Sequence, residues 1–524
     1  MEQDASSQPW TSLSSIGFKF LAMPQEAFLQ TLMPTIQNIW NLVNYHEMYL
    51  LWYHGCYHGP TLRSELKSAL KDQKEKSGML VIRRLNLQWL ALLFSIMVGS
   101  ITCATKAHLK EWGFSPKEVT TLSKQWYRAT ISCLNEAEYM ANPDIYSIHA
   151  ITTLAMSAHP LGHSQELAVL LDAASKIAQG LGLNRLSYDK ALENITSSSQ
   201  EEQRHKLLKR EIGRRLWSFL CINDWMSVPF AEAHTIHPLH FTTIKPANRD
   251  HLSMEPITPS FPTYVSYGNY LYEIAKLMIS HHEAMLRATT QLMMYESVME
   301  YDSRIRTLAI NEIPRYFHVV EPIDPAWPQW IVWARRSLTI CFAHKVIMIH
   351  RAFIRQSFTN PAYSFTRTTC LAASATILKE AKQTKDLDGP IIWVDKAFCI
   401  VAGIIFCLDI FHRSGFEAEF QTHRELVIDC ITLLQKSETS AIAARGATLL
   451  SALISARDRL TSESAWPTWT MKMSDIFESL TKGQDSQYAP TSLELEGNLL
   501  ADILPPQAGF CNRFLFDDLL YKII

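Results

Sequence analysis

The chain has 524 residues, of which 47% are hydrophobic and 19% are charged, and this composition is typical of a globular protein with a large apolar core. Its 49 basic and 51 acidic side chains give a formal net charge of −2, so no overall positive charge draws the chain to nucleic acid or to an anionic membrane. This length predicts several subdomains or one large helical body.

The chain opens on a polar, acidic segment, MEQDASSQPW, which lacks the features of a secretion signal. The most apolar run, residues 89–105, is shorter than a membrane span and contains serine, threonine and glycine, so it predicts a buried core helix. The ten cysteines include no CxxC pair and lie mostly in apolar helical runs. They predict reduced, buried side chains of an intracellular protein.

Helical periodicity runs through the whole chain. Apolar residues recur at steps of three and four in ELAVLLDAASKIAQGLGL and again in KLLKREIGRRLWSFLCINDWMSV. Gly180 or Gly182 is predicted to end the first of these helices, and Pro229 the second. Further helices are predicted near residues 28–44, 87–105, 117–140, 145–158, 267–295, 330–356, 366–384, 392–412 and 424–459. No alternating strand pattern with hairpin turns occurs, so the predicted class is all-α, a large multi-helix domain with disordered or loosely packed termini.

Polar and proline-bearing segments separate these helices. Residues 192–206 are predicted to form an exposed loop, and residues 237–262 and 318–330 to form irregular connections. No repeat of fixed period appears, which argues against a solenoid of identical units. The predicted organisation has an N-terminal tail (1–27), a first helical region (28–262), its helical continuation (263–482) and a C-terminal tail (483–524).

Motifs of common enzyme classes are absent from the sequence. It has no GxGxxG after a strand, no GxxxxGK[ST], no GxSxG and no HExxH. The segment NDWMSVPFAE comes near to the magnesium-binding motif of terpene cyclases, but Glu232 lies one residue too late and Pro229 interrupts the helix. The segment FDDLLY holds Asp517 and Asp518 without a third acid. We therefore predict no catalytic residues, and an all-α enzyme is the remote alternative.

Two histidine clusters raise the question of a metal site. His54, Cys56 and His58 lie in YLLWYHGCYHGPTL, where two glycines disfavour a rigid helical pair of ligands. The second cluster, HTIHPLH at 234–240, is interrupted by Pro238 and has no fourth ligand nearby in the sequence. We predict histidines that are packed or solvated, with no metal ligand and no cofactor.

The dense basic cluster KREIGRR, residues 209–215, lies inside an amphipathic helix. Its arginines are expected to pair with acids and to lie along apolar surface. We therefore predict a structural role for this cluster and assign no DNA-binding residues.

A series of motifs between about residues 40 and 250 resembles the middle homology region of fungus-specific transcription factors, in order and in spacing. These motifs are YHEMYLLWYHGCYHGPTLRSEL, SIHAITTLAMSAHPLG, LLDAASKIAQGLGLNRL, REIGRRLWSFLCINDW and VPFAEAHTIHPLHFTTIKPANRD. One departure is Asn184, which stands where histidine is common in the family. The resemblance implies a structural signature, in which His58, Pro60 and Thr61 end an aromatic helix and turn the chain. Its other members are Ala174, Ala178, Leu181, Gly182, Leu183, Glu211, Arg214, Arg215, Trp217, Asp224, Pro246 and Asn248.

The family resemblance also implies a role. Its members are transcription regulators of the fungal nucleus, and many control gene sets for secondary metabolism or nutrient use, although a cytoplasmic location stays open for this chain. The family's middle region usually follows a binuclear zinc cluster of six closely spaced cysteines, whereas only Cys56 precedes residue 100 here. Three explanations compete: DNA binding through another factor, a missing upstream exon, or recruitment to a role away from DNA.

The segment NRFLFDDLLYKII suits an amphipathic helix that docks into a coactivator groove. Its candidate activation residues are Phe514, Phe516, Asp517, Asp518, Leu519 and Leu520; a terminal helix packed on its own domain is the alternative. The predicted partners are other transcription factors or coactivators, a homo- or heterodimer, DNA only indirectly, and a small-molecule effector, but no membrane. A second hypothesis is a helical module that binds a small apolar ligand between Trp- and Met-rich helices.

Overall fold

The computed structural model describes residues 25–71, 78–83, 85–190, 201–383, 389–436 and 440–462. The predicted N-terminal tail up to residue 24, the predicted C-terminal tail and its candidate activation segment lie outside these residues. The expectations for both tails therefore stay predictions.

Helices form almost all of the regular structure in the described residues, which confirms the predicted all-α class. The earlier helices are α1 (Gln25–Thr31), α2 (Ile36–Tyr45), α3 (Leu51–His54), α4 (Gly59–Lys71), α5 (Leu87–Cys103), α6 (Lys106–Glu111), α7 (Pro116–Glu136), α8 (Ile145–Leu154) and α9 (Ser164–Gly180). The later helices are α10 (Glu201–Ala231), α11 (Ser266–Arg287), α12 (Gln291–Thr307), α13 (Ile331–His350), α14 (Ile354–Ser357), α15 (Ser364–Lys382), α16 (Trp393–Phe411), α17 (Ala418–Gln435) and α18 (Ala441–Ser462). Outside these helices, the described chain contains two isolated β-bridges and no longer strand.

Both ends of α10 differ from the prediction. Pro229 does not end this helix, which continues to Ala231. The next residue, Glu232, has a left-handed backbone conformation with φ of 57°. Proline normally costs a helix a backbone hydrogen bond and a steric clash, and here the helix continues for only two residues beyond Pro229. At the other end, residues 201–206 are helical although a loop was predicted. The ion pair between Glu202 and Lys206, 2.7 Å apart one turn along the helix, supports this first stretch.

Four predicted helices are each divided into two, among them the run 330–356, which forms α13 and α14. The run 28–44 is α1 and α2, the run 267–295 continues from α11 into α12, and the run 424–459 is α17 and α18. Each new start that can be assigned has a local cause, because the Thr35 side chain caps α2 and the Thr290 side chain caps α12. By contrast, the predicted end of α9 is confirmed at Gly180, and Gly182 follows in a left-handed conformation with φ of 79°.

Two apolar cores fill the helical body. The first is built mainly by α1 to α10 and contains Leu93 and Trp126, whereas the second is built mainly by α11 to α18. Helix α11 serves both, since Ile279 packs in the first core and Ile274 in the second. The cores divide close to the predicted boundary at residue 262, and the assignment of separate domains stays a prediction.

Aromatic side chains from the N-terminal helices reach into the second core. The Trp52 ring stacks on Trp330 with centroids 5.9 Å apart and meets Tyr267 edge-on at 4.9 Å. The Tyr49 ring stacks on Trp333 at 4.9 Å. These contacts join the start of the described chain to helices that follow it much later in the sequence.

One described segment, Ile331–Ser357, is long and apolar enough to cross a membrane, and 72% of its most apolar window is buried inside the protein. A core helix of a soluble protein passes the same test. The run 89–105, for which a core helix was predicted, lies in α5, and nearly every residue of that helix is buried.

The described cysteines are all free and buried, as predicted, whereas Cys511 lies outside the described residues. Burial raises the pKa of the Cys103 thiol to about 12. Such side chains behave as small apolar groups and are poor nucleophiles.

Candidate ligand-binding site

The long segment between α10 and α11 is irregular, as predicted, and two signature residues tie it down. The Asp224 carboxylate accepts hydrogen bonds from the backbone N–H groups of Thr235 at 2.9 Å and Ile236 at 2.8 Å. The Asn248 side-chain amide donates to the carbonyls of Thr258 at 3.0 Å and Phe261 at 2.9 Å. Both side chains supply hydrogen-bond partners to backbone groups that, in an irregular segment, have no partner in a helix or strand.

Glu211 and Arg214 form an ion pair whose side chains are fully buried. The guanidinium Nη1 donates to Glu211 Oε1 at 2.6 Å, and Nη2 donates to the carbonyl of Ser187 at 2.9 Å. Glu211 Oε2 accepts the backbone N–H of Ala247 at 2.9 Å. The pair therefore links α10 to two irregular stretches of chain, at Ser187 after α9 and at Ala247 before α11.

The remaining signature residues lie in or near α9 and α10, and they differ in how far they are exposed. Leu181 is 39% exposed, so it leaves the apolar stripe predicted for α9. Pro246 is buried, and its carbonyl accepts from the Asn269 side chain at 2.9 Å. The buried members are Ala174, Ala178, Leu183, Arg215 and Trp217.

The element around His58 starts a helix, so the expectation that it ends one is wrong. The aromatic helix α3 ends before Gly55, which has φ of 61° and can adopt this left-handed conformation without a side-chain clash. His58 then precedes α4, and its Nδ1 lies 2.7 Å from the Thr61 hydroxyl. Its Nε2 lies 2.7 Å from the carbonyl of His251, so both ring nitrogens are engaged in hydrogen bonds.

The second histidine cluster gains a ligand that the sequence spacing did not reveal. Glu283 of α11 comes next to His234 and His237, and one ligand atom from each residue lies within 4.8 Å of the others. Such a set has the composition of a divalent metal site. Glu283 also lies 3.7 Å from the Arg287 guanidinium, and His237 Nδ1 accepts the N–H of Leu239 at 3.2 Å. Both interactions compete with a metal for these atoms.

A partly open cavity of about 230 Å³ lies where the two cores meet. Met226, Tyr264 and Leu271 line it and pack against both cores. A cavity of about 150 Å³ in another protein is large enough to hold benzene, so this one can hold a somewhat larger organic molecule. It is the best-formed candidate site in the described part of the chain.

The cavity walls follow from helical spacing. Helix α10 contributes a single face at steps of three and four, from Arg215 to Phe230. Helix α13 contributes Ser337, Cys341 and Lys345 at steps of four. Aromatic and apolar side chains of α16, Trp393 and Phe398 among them, also line the cavity. Long helices thus place most of this mainly apolar lining on rigid elements.

Two cations line this cavity. Lys345 is 4% exposed and makes no hydrogen bond or ion pair with any described residue, although its Nζ lies 5.8 Å from the centre of the Phe398 ring. Arg215 is 6% exposed, and its Nε and Nη1 have no hydrogen-bond partner among the described residues. Burial lowers the pKa of both side chains, with Cys341 and Glu211 acting in the opposite direction on Lys345 and Arg215 respectively. No aspartate or glutamate is found among the described lining residues.

The cavity histidines do not add to this charge near neutral pH. Burial lowers the pKa of His159 to about 3, and burial together with the nearby His149 lowers the pKa of His54 to about 3. His159 Nδ1 lies 2.9 Å from the Ser164 hydroxyl, and its ring packs against Trp393 with centroids 4.0 Å apart. Both rings therefore serve as neutral wall residues.

Sequence reasoning missed most of this site. Arg215 was assigned a structural role and was expected to pair with an acid, but no such partner is found among the described residues. Lys345 lies in the half of the chain where no motif was recognised. One signal was present in the sequence: CFAHKVIMIH places a lysine in a helix with apolar residues on every side, so no solvent-facing position is left for it.

Two known proteins are similar to this chain. The agnestins biosynthesis cluster transcription factor AgnL11 of Paecilomyces divaricatus is 22% identical over 442 residues, which cover 79% of this chain and 61% of that protein. The transcription factor TAS2 of Pyricularia oryzae is 22% identical over 282 residues, which cover 50% of this chain and 35% of that protein. The chain thus spans less than two thirds of either relative. No family model matches the chain. The names of both relatives support a fungal transcription factor, as the motifs suggested, while the middle homology region itself stays a resemblance.

Proposed function

We propose that this chain is a regulatory region of a fungal transcription regulator that acts in the nucleus through contacts with other proteins. The similarity to two proteins named as fungal transcription factors carries this proposal. The name of AgnL11 refers to a biosynthesis cluster, which favours a secondary-metabolite gene set as the target over nutrient use. Other transcription factors and coactivators are the proposed partners.

A reporter assay tests this role. We expect the full chain, fused to a heterologous DNA-binding domain, to change transcription from a tethered reporter several-fold relative to the DNA-binding domain alone. The direction of the change distinguishes an activator from a repressor. A matched fusion carrying Glu211→Ala, which removes the counter-charge of buried Arg214, should lose the effect. An unchanged reporter with the soluble wild-type fusion would contradict the proposal.

The second candidate function is binding of a small, mainly apolar effector, and the cavity between the two cores favours it. Gly268 provides the means to test it, because this residue lines the cavity and an added Cβ would meet no atom within 4 Å. A large side chain at this position should fill the cavity without a clash at Cβ.

We expect 2-naphthol to raise the melting temperature of the wild type, since a ligand that binds only the folded state stabilises it by about 2.7 kcal/mol at 100 times its dissociation constant. Gly268→Phe should abolish the shift measured by scanning fluorimetry. Gly180→Phe is the matched control, because Gly180 is exposed at the end of α9 and an added Cβ also meets no atom there. A shift that survives Gly268→Phe would place the probe elsewhere.

A further inference from the structure

The charges of the cavity lining are unbalanced. Most of the lining is apolar or aromatic, yet it includes Lys345 and Arg215 and, among the described residues, no carboxylate. Transfer of an unpaired cation into a protein interior is strongly unfavourable, and buried charges in proteins are normally paired. A site with this composition is therefore complementary to a ligand that brings a negative charge of its own.

Lys345 is the better placed of the two cations. It stands one helical turn beyond Cys341, on the line of α13 residues that faces the cavity. Its Nζ lies 5.8 Å from the centre of the Phe398 ring, and no described residue accepts a hydrogen bond from it. Arg215, in contrast, lines the cavity from α10 next to Glu211, whose charge acts on it.

The apolar walls define the rest of the ligand. Phe219, Met226 and Phe230 line the cavity from α10, and Trp393 lines it from α16. These side chains suit a flat or extended hydrocarbon body, and the volume of about 230 Å³ limits it to a small molecule.

We propose that the cavity binds a small apolar organic carboxylate, with its acidic group at Lys345 and its hydrocarbon body against the α10 and α16 walls. This inference rests on the second candidate function and names the ligand class for it. The contact between the carboxylate and the ammonium is a charge-assisted hydrogen bond, which is stronger than one between neutral groups. The carboxylate supplies the counter-charge that the described residues around Lys345 lack.

Two probes of nearly the same shape test the proposal on the purified full chain. 2-Naphthoate carries a carboxylate, and 2-naphthamide replaces it with a neutral amide. We expect the wild type to bind 2-naphthoate at least about tenfold more tightly in calorimetry, as is typical of a hydrogen bond to a charged group. Equal dissociation constants would overturn the proposal and leave the ligand-binding function standing. Binding of neither probe would overturn both.

Lys345→Met removes the charge and shortens the side chain by one atom. This variant should bind the two probes with similar affinity and should melt no lower than the wild type, since it removes an unpaired buried charge. Lys379→Met, an exposed position on α15, is the matched control and should keep the wild-type preference. A preference that survives Lys345→Met but is lost in Arg215→Met would overturn the assignment to Lys345.

Discussion

Replacing Glu211 with alanine is expected to lower the free energy of unfolding by about 3–5 kcal/mol, because a buried charge that loses its partner is strongly destabilising. The Arg214 guanidinium has no solvent contact through which water could replace the lost carboxylate. The variant also leaves the backbone N–H of Ala247 without its acceptor. Urea unfolding at neutral pH, followed by circular dichroism, measures the loss.

A double variant separates the ion pair from its surroundings. Glu211→Met with Arg214→Met removes both charges at once, so it should cost roughly 1–3 kcal/mol less than the sum of the single variants. Glu202→Ala is the control on the same helix, since its exposed pair with Lys206 should change stability very little. If the costs of Glu211→Met and Arg214→Met simply add in the double variant, the buried pair does not act as a unit.

Asp409 to asparagine should cost about 2–3 kcal/mol at pH 7. Asp409 has a fully buried side chain at the end of α16. Burial alone would raise the pKa of this carboxyl, but hydrogen bonds from His423, Arg413 and Arg367 outweigh that effect and lower the pKa to about 2. The Asp409 oxygens lie 2.6 Å from His423 Nδ1 and 2.8 Å from Arg367 Nε. The asparagine variant loses the negative charge that these groups share.

The cost of the Asp409 substitution should depend on pH in a defined direction. A carboxyl group whose pKa is lower in the folded state than in the unfolded state stabilises the fold above its unfolded pKa of about 4, and this contribution falls as the pH drops toward about 2. The difference between wild type and Asp409→Asn should therefore be constant from pH 7 to about 5 and should shrink at pH 4 and 3. Unfolding titrations at these pH values measure it.

A surface pair provides the control for Asp409. Asp429 pairs with Lys382 where both side chains are about half exposed, so Asp429→Asn should change stability by no more than about 1 kcal/mol at any of these pH values. A cost for Asp409→Asn that stayed the same at pH 3 would show that its charge is not what stabilises the fold.

The sequence predicted which parts of the fold are helical better than where the helices stop. Apolar spacing at steps of three and four specified α9, where one face is buried, and most of α10, whose middle is buried on every side. The same spacing continues across Ala288–Thr290 without glycine or proline, so it gave no sign that α11 ends and α12 begins there. That division depends on a side-chain cap at Thr290, which single-sequence periodicity does not register.

The candidate site was harder to predict than the fold, since its parts come from distant positions. The motifs marked α10 and the segment after it. In the structure, Glu211, Arg214 and Asp224 hold irregular chain against α10, and Asn248 joins two stretches of the irregular segment to each other. A cavity, however, depends on what adjacent helices leave unfilled. The excess of positive charge in its lining becomes visible only in the fold, which places Lys345 of α13 in the same cavity as Arg215 of α10.

The stacking of Trp52 on Trp330 and of Tyr49 on Trp333 has a consequence for the biosynthesis of the protein. The two N-terminal rings leave the ribosome roughly 280 residues before their partners, and at about 5–20 residues per second the wait is of the order of 15–60 s. During that time the ring faces that Trp330 and Trp333 later cover lack these native partners. Contacts so distant in sequence also slow folding, because a long loop of chain must close before they form. Completion of the polypeptide, rather than local helix formation, therefore sets the earliest moment at which the second core can close.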